Sequence, residues 1–295
     1  MSGLAVGFVG LGIMGRPMAG HILKAGFPLT VFNRTRERAR ELEASGARLA
    51  ATPAEVARAA DVIVVMVTDS ADVEAVVAGS GGLAQGVRRG AVIVDMSTVA
   101  PATERRLAAL LRERGADYLD APVSGGDVGA KNATLAIMAG GEAAALERAR
   151  PVLERLGKTI THCGPVGSGQ LAKLCNQILV GVTLLGVSEA IAFARKSGLD
   201  PHVMLRAVES GAAGSWQLSN LGPRILKDDV APGFMVDLML KDLRLVSETA
   251  EAAGASLPAT SVVERLFDAA REQGWGREGT QVLGRVVAGL EREGA

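Results

Sequence analysis

Apolar residues follow two rhythms along this chain. In the first half, short runs rich in Val and Ile at residues 4–9, 29–32, 61–67 and 91–96 alternate with helix-forming stretches that end near residue 25, cover 70–78 and begin again near 101. Short apolar runs between turn residues read as strands buried on both faces, and their alternation with helices predicts a doubly wound α/β sheet. The second half reads differently. From Gln170 to about residue 196 the chain carries helix formers without proline, and from Leu174 to Ser188 no residue is charged. Interruption by Asn176, Gln177, Thr183 and Ser188 predicts a helix buried on most faces rather than a membrane span. At 1.5 Å per residue it reaches roughly 40 Å, enough to run from one domain into another. Helical stretches follow at about 201–210, 216–226, 236–253 and 261–273, with no strand signal between them.

Composition narrows the class. The chain has 295 residues, enough for two domains, and balances 32 basic against 32 acidic side chains, so it has no field to draw nucleic acid or an anionic membrane. Cys163 and Cys175 are too few and too widely spaced for a disulfide framework and read as reduced thiols. Met1-Ser2-Gly3 leads straight into an apolar run. Together these predict a cytoplasmic enzyme. His21, His162 and His202 lack metal-ligand spacing, and no serine sits in a nucleophile elbow, so neither a metal nor hydrolytic chemistry is expected.

The candidate chemistry begins after the first strand, at Gly10-Leu11-Gly12-Ile13-Met14-Gly15. Strand, Gly-x-Gly-x-x-Gly and helix in that order predict a dinucleotide site: Gly10 for the tight turn, Gly12 for the approach of a pyrophosphate, Gly15 for close helix packing. The expected fold is therefore a Rossmann-type domain over residues 1–164, joined by a long helix within 165–196 to an all-α domain that completes 165–295. The second strand ends at Asn33-Arg34-Thr35, where an NAD site usually places an acid for the ribose. With Arg34 there, and Arg36 and Arg38 beyond, NADP is the expected cofactor and NAD the alternative. Loops after the next two strands, Val67-Thr68-Asp69-Ser70 and Ser97-Thr98-Val99, lie where such sheets bind ligands. Thr98 either touches ligand or caps the helix from about Pro101.

Further along, Ser124-Gly125-Gly126 offers a hydroxyl and unhindered N–H groups suited to a carboxylate. Lys173, Asn176 and Gln177 stand at i, i+3 and i+4 on one face of the long helix. On spacing alone Lys173 either snorkels to the surface or does chemistry. Trp216, after the glycine-rich 211–215 segment, is either a pocket wall or core.

These motifs, read together, resemble the β-hydroxyacid dehydrogenases. Gly10-Leu11-Gly12-Ile13-Met14-Gly15, Asp120-Ala121-Pro122-Val123-Ser124-Gly125-Gly126, Gly167-x-Gly169-x-x-x-Lys173 and Lys241-Asp242-Leu243 carry the likeness over almost the whole chain. The resemblance implies that Lys173 is the catalytic lysine and that Ser124, Gly125 and Gly126 clamp the substrate carboxylate. It places Val67, Thr68, Asp72, Thr98 and Lys241 against cofactor, and Asn176, Gln177, Phe234 and Asp242 at the substrate. The implied reaction is reversible hydride transfer between NADPH and a small β-hydroxyacid or semialdehyde. Asn176-Gln177 and the Pro232-Gly233-Phe234 segment are similar to the tartronate semialdehyde reductases. 3-Hydroxyisobutyrate, succinic semialdehyde and glyoxylate are the rival substrates, an imine reductase a further rival on the same fold, and a non-catalytic NADP-binding sensor or scaffold the rival class. The alanine- and glycine-rich helices, with the family likeness, imply a homodimer or homotetramer. Three departures stand out: Gln177 where relatives often carry asparagine, Ala133 for a common glycine, with Asn132 expected to take the unusual backbone turn, and Gly279 where relatives often have aspartate.

Overall fold

The computed structural model describes residues 3–293, with side chains through residue 289. Contacts divide it into two compact units, one through Lys173 and one from Leu174.

The first unit is built around short, mostly apolar strands. β1 (Val6–Val9), α1 (Gly15–Lys24) and β2 (Leu29–Phe32) open it, followed by α2 (Arg40–Ala44), β3 (Arg48–Leu49) and α3 (Pro53–Ala59). β4 (Val62–Val65), α4 (Ser70–Ala78), β5 (Val92–Asp95), α5 (Pro101–Arg112) and β6 (Asp117–Asp120) complete the parallel core, in spatial order β3-β2-β1-β4-β5-β6. That is the Rossmann order, and both faces are covered as it requires. Period-two alternation sorts the side chains. Val62, Val64, Val92 and Val94 pack with Met18 and Ile22 of α1 on one face. Ile63, Val65 and Ile93 pack with Val56, Val73, Val77, Leu107 and Leu111 on the other.

Beyond the four strands expected, the sheet gains further members after β6, not all of them parallel. β7 (Val123–Ser124), α6 (Gly126–Asn132), β8 (Leu135–Gly140), α7 (Ala143–Leu153) and β9 (Gly157–Gly164) extend it, with β8 antiparallel to both β6 and β7 and parallel to β9. β7 is only two residues long, too short to show a period in the sequence.

α8 (Ser168–Lys196) starts in the first unit and continues into the second, with α9 (Pro201–Val208), α10 (Gly222–Leu226), α11 (Val236–Ala253), α12 (Pro258–Glu272) and α13 (Leu283–Glu293). Leu184 packs among Met239, Leu243, Val263, Phe267 and Leu283, and Val187, Ile191 and Ala194 pack among Met204, Leu205 and Leu218. By length and mean hydropathy α8 could cross a membrane, a test that core helices also pass. α12 begins earlier than the expected 261, because Pro258 is a natural first helical residue. α13 is absent from the expectation altogether.

Two local expectations are corrected. Thr98 does not cap α5; Ala100 holds that position, without a side-chain cap, and Pro101 starts the helix. Asn132 does not take the unusual turn. Ala133 itself is left-handed, at φ 53° and ψ 43°, closing α6.

Candidate active site

The nucleotide cradle follows from sterics at the end of β1. Gly10 has φ 98°, and a methyl on Gly15 would lie 1.9 Å from the Gly10 carbonyl oxygen, so only glycine lets α1 start this close to its strand. A methyl on Gly12 would meet nothing within 4 Å, which leaves room for a ligand over the loop, and α1 has no acid in its first turn to cancel its positive end. Leu11, Ile13 and Met14 form the rest of the turn. A dinucleotide pyrophosphate fits this cradle.

Asn33, expected at the cofactor, is engaged with the backbone on both sides of it. Its Oδ1 accepts the Leu11 N–H at 2.8 Å and its Nδ2 donates to the Thr35 carbonyl, so it braces the glycine loop from β2. Arg34 is 91% exposed at the side chain, with Nη1 3.8 Å from Asp72 Oδ1. Asp72 sits in the first turn of α4, where Asp69 caps its N–H at 2.8 Å. Val67 N–H donates to Ser97 Oγ at 3.0 Å, tying together the loops after β4 and β5, with Thr68 and Thr98 in the loops themselves.

At the expected carboxylate clamp, β7 ends in Ser124, and Gly125 and Gly126 follow with φ 134° and 61°. Consecutive positive φ values turn the backbone out of the strand and into α6, a conformation that side chains other than glycine resist.

Lys173 is only 7% exposed, so it does not snorkel. It follows the first turn of α8, which the sheet anchors. Asp120 at the end of β6 accepts the Gly167 N–H at 2.7 Å and the Gln170 N–H at 2.8 Å, satisfying donors that a helix start leaves open. Gly169 allows that contact, since a methyl there would come 2.3 Å from the Met138 carbonyl oxygen.

A buried polar cluster beside this anchor was not predicted. Asp95, Ser97, Glu104, Asp120 and Gln170 are wholly buried, and Tyr118 nearly so. Burial pushes the Asp95 carboxyl up to about 6, and pushes Glu104 well above the ordinary carboxylate range, with the Asp95 charge adding to it. Burial also raises Asp120. The one legible hint was that β5 and β6 both close on aspartate, and Asp95 and Asp120 are partners in the parallel register. Among the described residues no group of three or more His, Cys, Asp or Glu could hold a metal ion.

In the second unit, Gln177 Nε2 donates to Asp242 Oδ2 at 2.6 Å, and Gln177 Oε1 accepts from Asn176 Nδ2 at 2.8 Å. The Gln177 amide is thus engaged at both ends. Lys241 Nζ lies 2.9 Å from Asp242 Oδ1 in an ion pair, off the direction of a hydrogen bond. Phe234 packs against the core of α11 and α12. Trp216 is 62% exposed and belongs to no core. A methyl on Gly279 would strike the Gln281 amide at 2.4 Å, so an aspartate has no room there without rearrangement.

Residues 5–164 match the model of the NAD binding domain of 6-phosphogluconate dehydrogenase, and residues 167–287 match that of the NAD-binding domain of NADP-dependent 3-hydroxyisobutyrate dehydrogenase. The chain is 42% identical over 271 residues to 2-hydroxy-3-oxopropionate reductase of Escherichia coli, covering 92% of each. It is 38% identical over 288 residues to NAD-dependent L-serine dehydrogenase of Pseudomonas aeruginosa, covering 95% of this chain and 97% of that one. The structure of Mycobacterium tuberculosis 3-hydroxyisobutyrate dehydrogenase with L-serine superposes with a TM-score of 0.89 at 30% identity, over 97% of this chain and 99% of that one. A glycine cradle on a Rossmann sheet, a buried lysine opening a long helix and these matches over nearly the full length make the chain a member of the β-hydroxyacid dehydrogenase family, the NAD(P)-dependent oxidoreductases related to 3-hydroxyisobutyrate dehydrogenase.

Proposed function

We propose that this chain reduces a small semialdehyde with NADPH, tartronate semialdehyde first among the candidates, with Lys173 as acid and base. The observation that carries the proposal is the burial of Lys173, 7% exposed, one turn into a helix whose start is pinned to the strand ends of the nucleotide domain. Holding an ammonium away from water is costly, and a positioned proton donor is a reason to bear that cost. When bound, the nicotinamide supplies or accepts the hydride. Lys173 gives a proton to the carbonyl oxygen in reduction and takes it back from the hydroxyl in oxidation. Ser124 Oγ and the N–H groups of Gly125 and Gly126 receive the carboxylate and so fix which carbonyl faces the lysine.

NADP over NAD is supported by Arg34, exposed at the end of β2 where no acid stands. The likeness to an NAD-dependent enzyme makes NAD the alternative. Asn176, Gln177, Asp242 and Phe234 are proposed to complete the substrate contacts, with Gln177 set in place by Asp242. L-Serine is a second substrate candidate, because two of the similar proteins carry it in their names or complexes. A homodimer or homotetramer in the cytoplasm is proposed, supported by Leu179 and Phe193, which are 68% and 73% exposed on α8.

Lys173→Ala should lower kcat by about a thousandfold or more while NADPH affinity changes less than about threefold. Rates of NADPH oxidation with tartronate semialdehyde, succinic semialdehyde and glyoxylate, beside NADPH titrations, check this. A variant with most of its rate intact would remove Lys173 from the reaction.

A further inference from the structure

Gln170 has no part in the cradle or the clamp, yet its amide is fully used. Nε2 donates to the Ser97 carbonyl at 2.9 Å and to Glu104 Oε1 at 2.6 Å, while Oε1 accepts the Val99 N–H at 3.2 Å. One side chain therefore holds the loop after β5 at two points. Through Ser97 Oγ and the Val67 N–H the loop after β4 joins the same chain of bonds. Three residues along α8 stands Lys173. Only a carboxamide offers donors and an acceptor in this arrangement, and each buried partner left without its bond is penalised.

Glu104 fixes which way that amide points. Its other oxygen, Oε2, receives the Tyr118 hydroxyl at 2.6 Å, and the same hydroxyl lies 3.5 Å from Asp95 Oδ2. Burial together with the charges of Asp95 and Asp120 favours the neutral carboxyl of Glu104. In that form its carbonyl oxygen still accepts from Gln170, its O–H donates to the Tyr118 oxygen, and Tyr118 turns its own proton toward Asp95. The chain of bonds then runs in one direction with every member satisfied.

We propose that Gln170 and Glu104 are a positioning pair, in which the Gln170 amide keys the first turn of α8, and Lys173 with it, to the loops after β4 and β5, and Glu104 sets the orientation of that amide. The proposal rests on the reading of Lys173 as the acid and base.

The test compares Gln170→Met, Gln170→Glu, Glu104→Leu and Glu104→Gln with the unaltered chain and with Lys173→Ala. Both Gln170 variants should lose about tenfold or more in kcat with NADPH affinity within about threefold of the original. Amide exchange at Val99, followed by mass spectrometry or NMR, should quicken by about tenfold or more in the same variants. Glu104→Gln should recover most of the rate that Glu104→Leu loses, since an amide gives Gln170 the same acceptor and Tyr118 the same donor. Gln170→Met with unaltered kcat and unaltered Val99 exchange would overturn the proposal. If Gln170→Met does not fold, equal rates for the two Glu104 variants would overturn it instead. Failure of the function reading looks different. No turnover of any hydroxyacid or semialdehyde by the unaltered chain, or full activity of Lys173→Ala, would sink that reading, and Val99 exchange alone would then decide whether Gln170 holds the loop.

Discussion

Ala133 accepts a backbone strain that glycine would not feel. An L-residue in the left-handed region costs roughly 1–2 kcal/mol, and Ala133 takes it at φ 53° to end α6 and turn the chain into β8. Ala133→Gly should therefore raise stability by about 0.5–1 kcal/mol, after the greater freedom of glycine in the unfolded chain is subtracted. Urea unfolding midpoints check it, and an unchanged or lowered midpoint would show that the turn is not strained. Lys173 stood out as a candidate from its place after Gly167 and Gly169, but its burial was not legible, because spacing places a side chain on a face and does not say what covers that face. Asn33 is a similar case. The residue type and position pointed to the nucleotide, whereas its amide spends both ends on the backbone of Leu11 and Thr35.

Strands β5 and β6 each deliver a carboxylate to the same end of the sheet, and α5 adds a third. The consequence is a pH-dependent fold. Asp95 is raised from 3.8 to about 6 by burial, so between those values the folded chain holds a proton that the unfolded chain has released. Stability from this group is complete below the lower value and falls as pH rises through the upper one, by at most about 3 kcal/mol. Glu104, raised by burial and by the Asp95 charge, contributes a decline of the same sign. Asp95→Asn should flatten the lower part of the decline in urea unfolding measured across that window, since Asn keeps the acceptor for the Ser97 N–H. An unchanged slope would mean that Asp95 stays charged in the fold. Periodicity gave no sign of this cluster. Each carboxylate reads as an ordinary polar residue until the parallel register of β5 and β6 brings Asp95 beside Asp120.

At the scale of the whole chain, a ligand that binds only the folded state stabilises it by mass action, and a dinucleotide at about a hundredfold its dissociation constant adds about 2.7 kcal/mol. NADPH should then raise the thermal midpoint more than NADH at equal concentration, and Arg34→Ala should erase the difference. A larger shift with NADH would overturn the NADP preference. The sequence by itself determined the alternation of strands and helices, the cradle at Gly10, Gly12 and Gly15, and the long helix after Gly169, because each is a local matter of apolar period and backbone sterics. Tertiary structure alone decided the antiparallel extension β7–β8, the left-handed turn at Ala133 and the buried network around Gln170. These depend on strand register and on contacts between residues as many as 73 positions apart, such as Ser97 and Gln170, which no local pattern encodes.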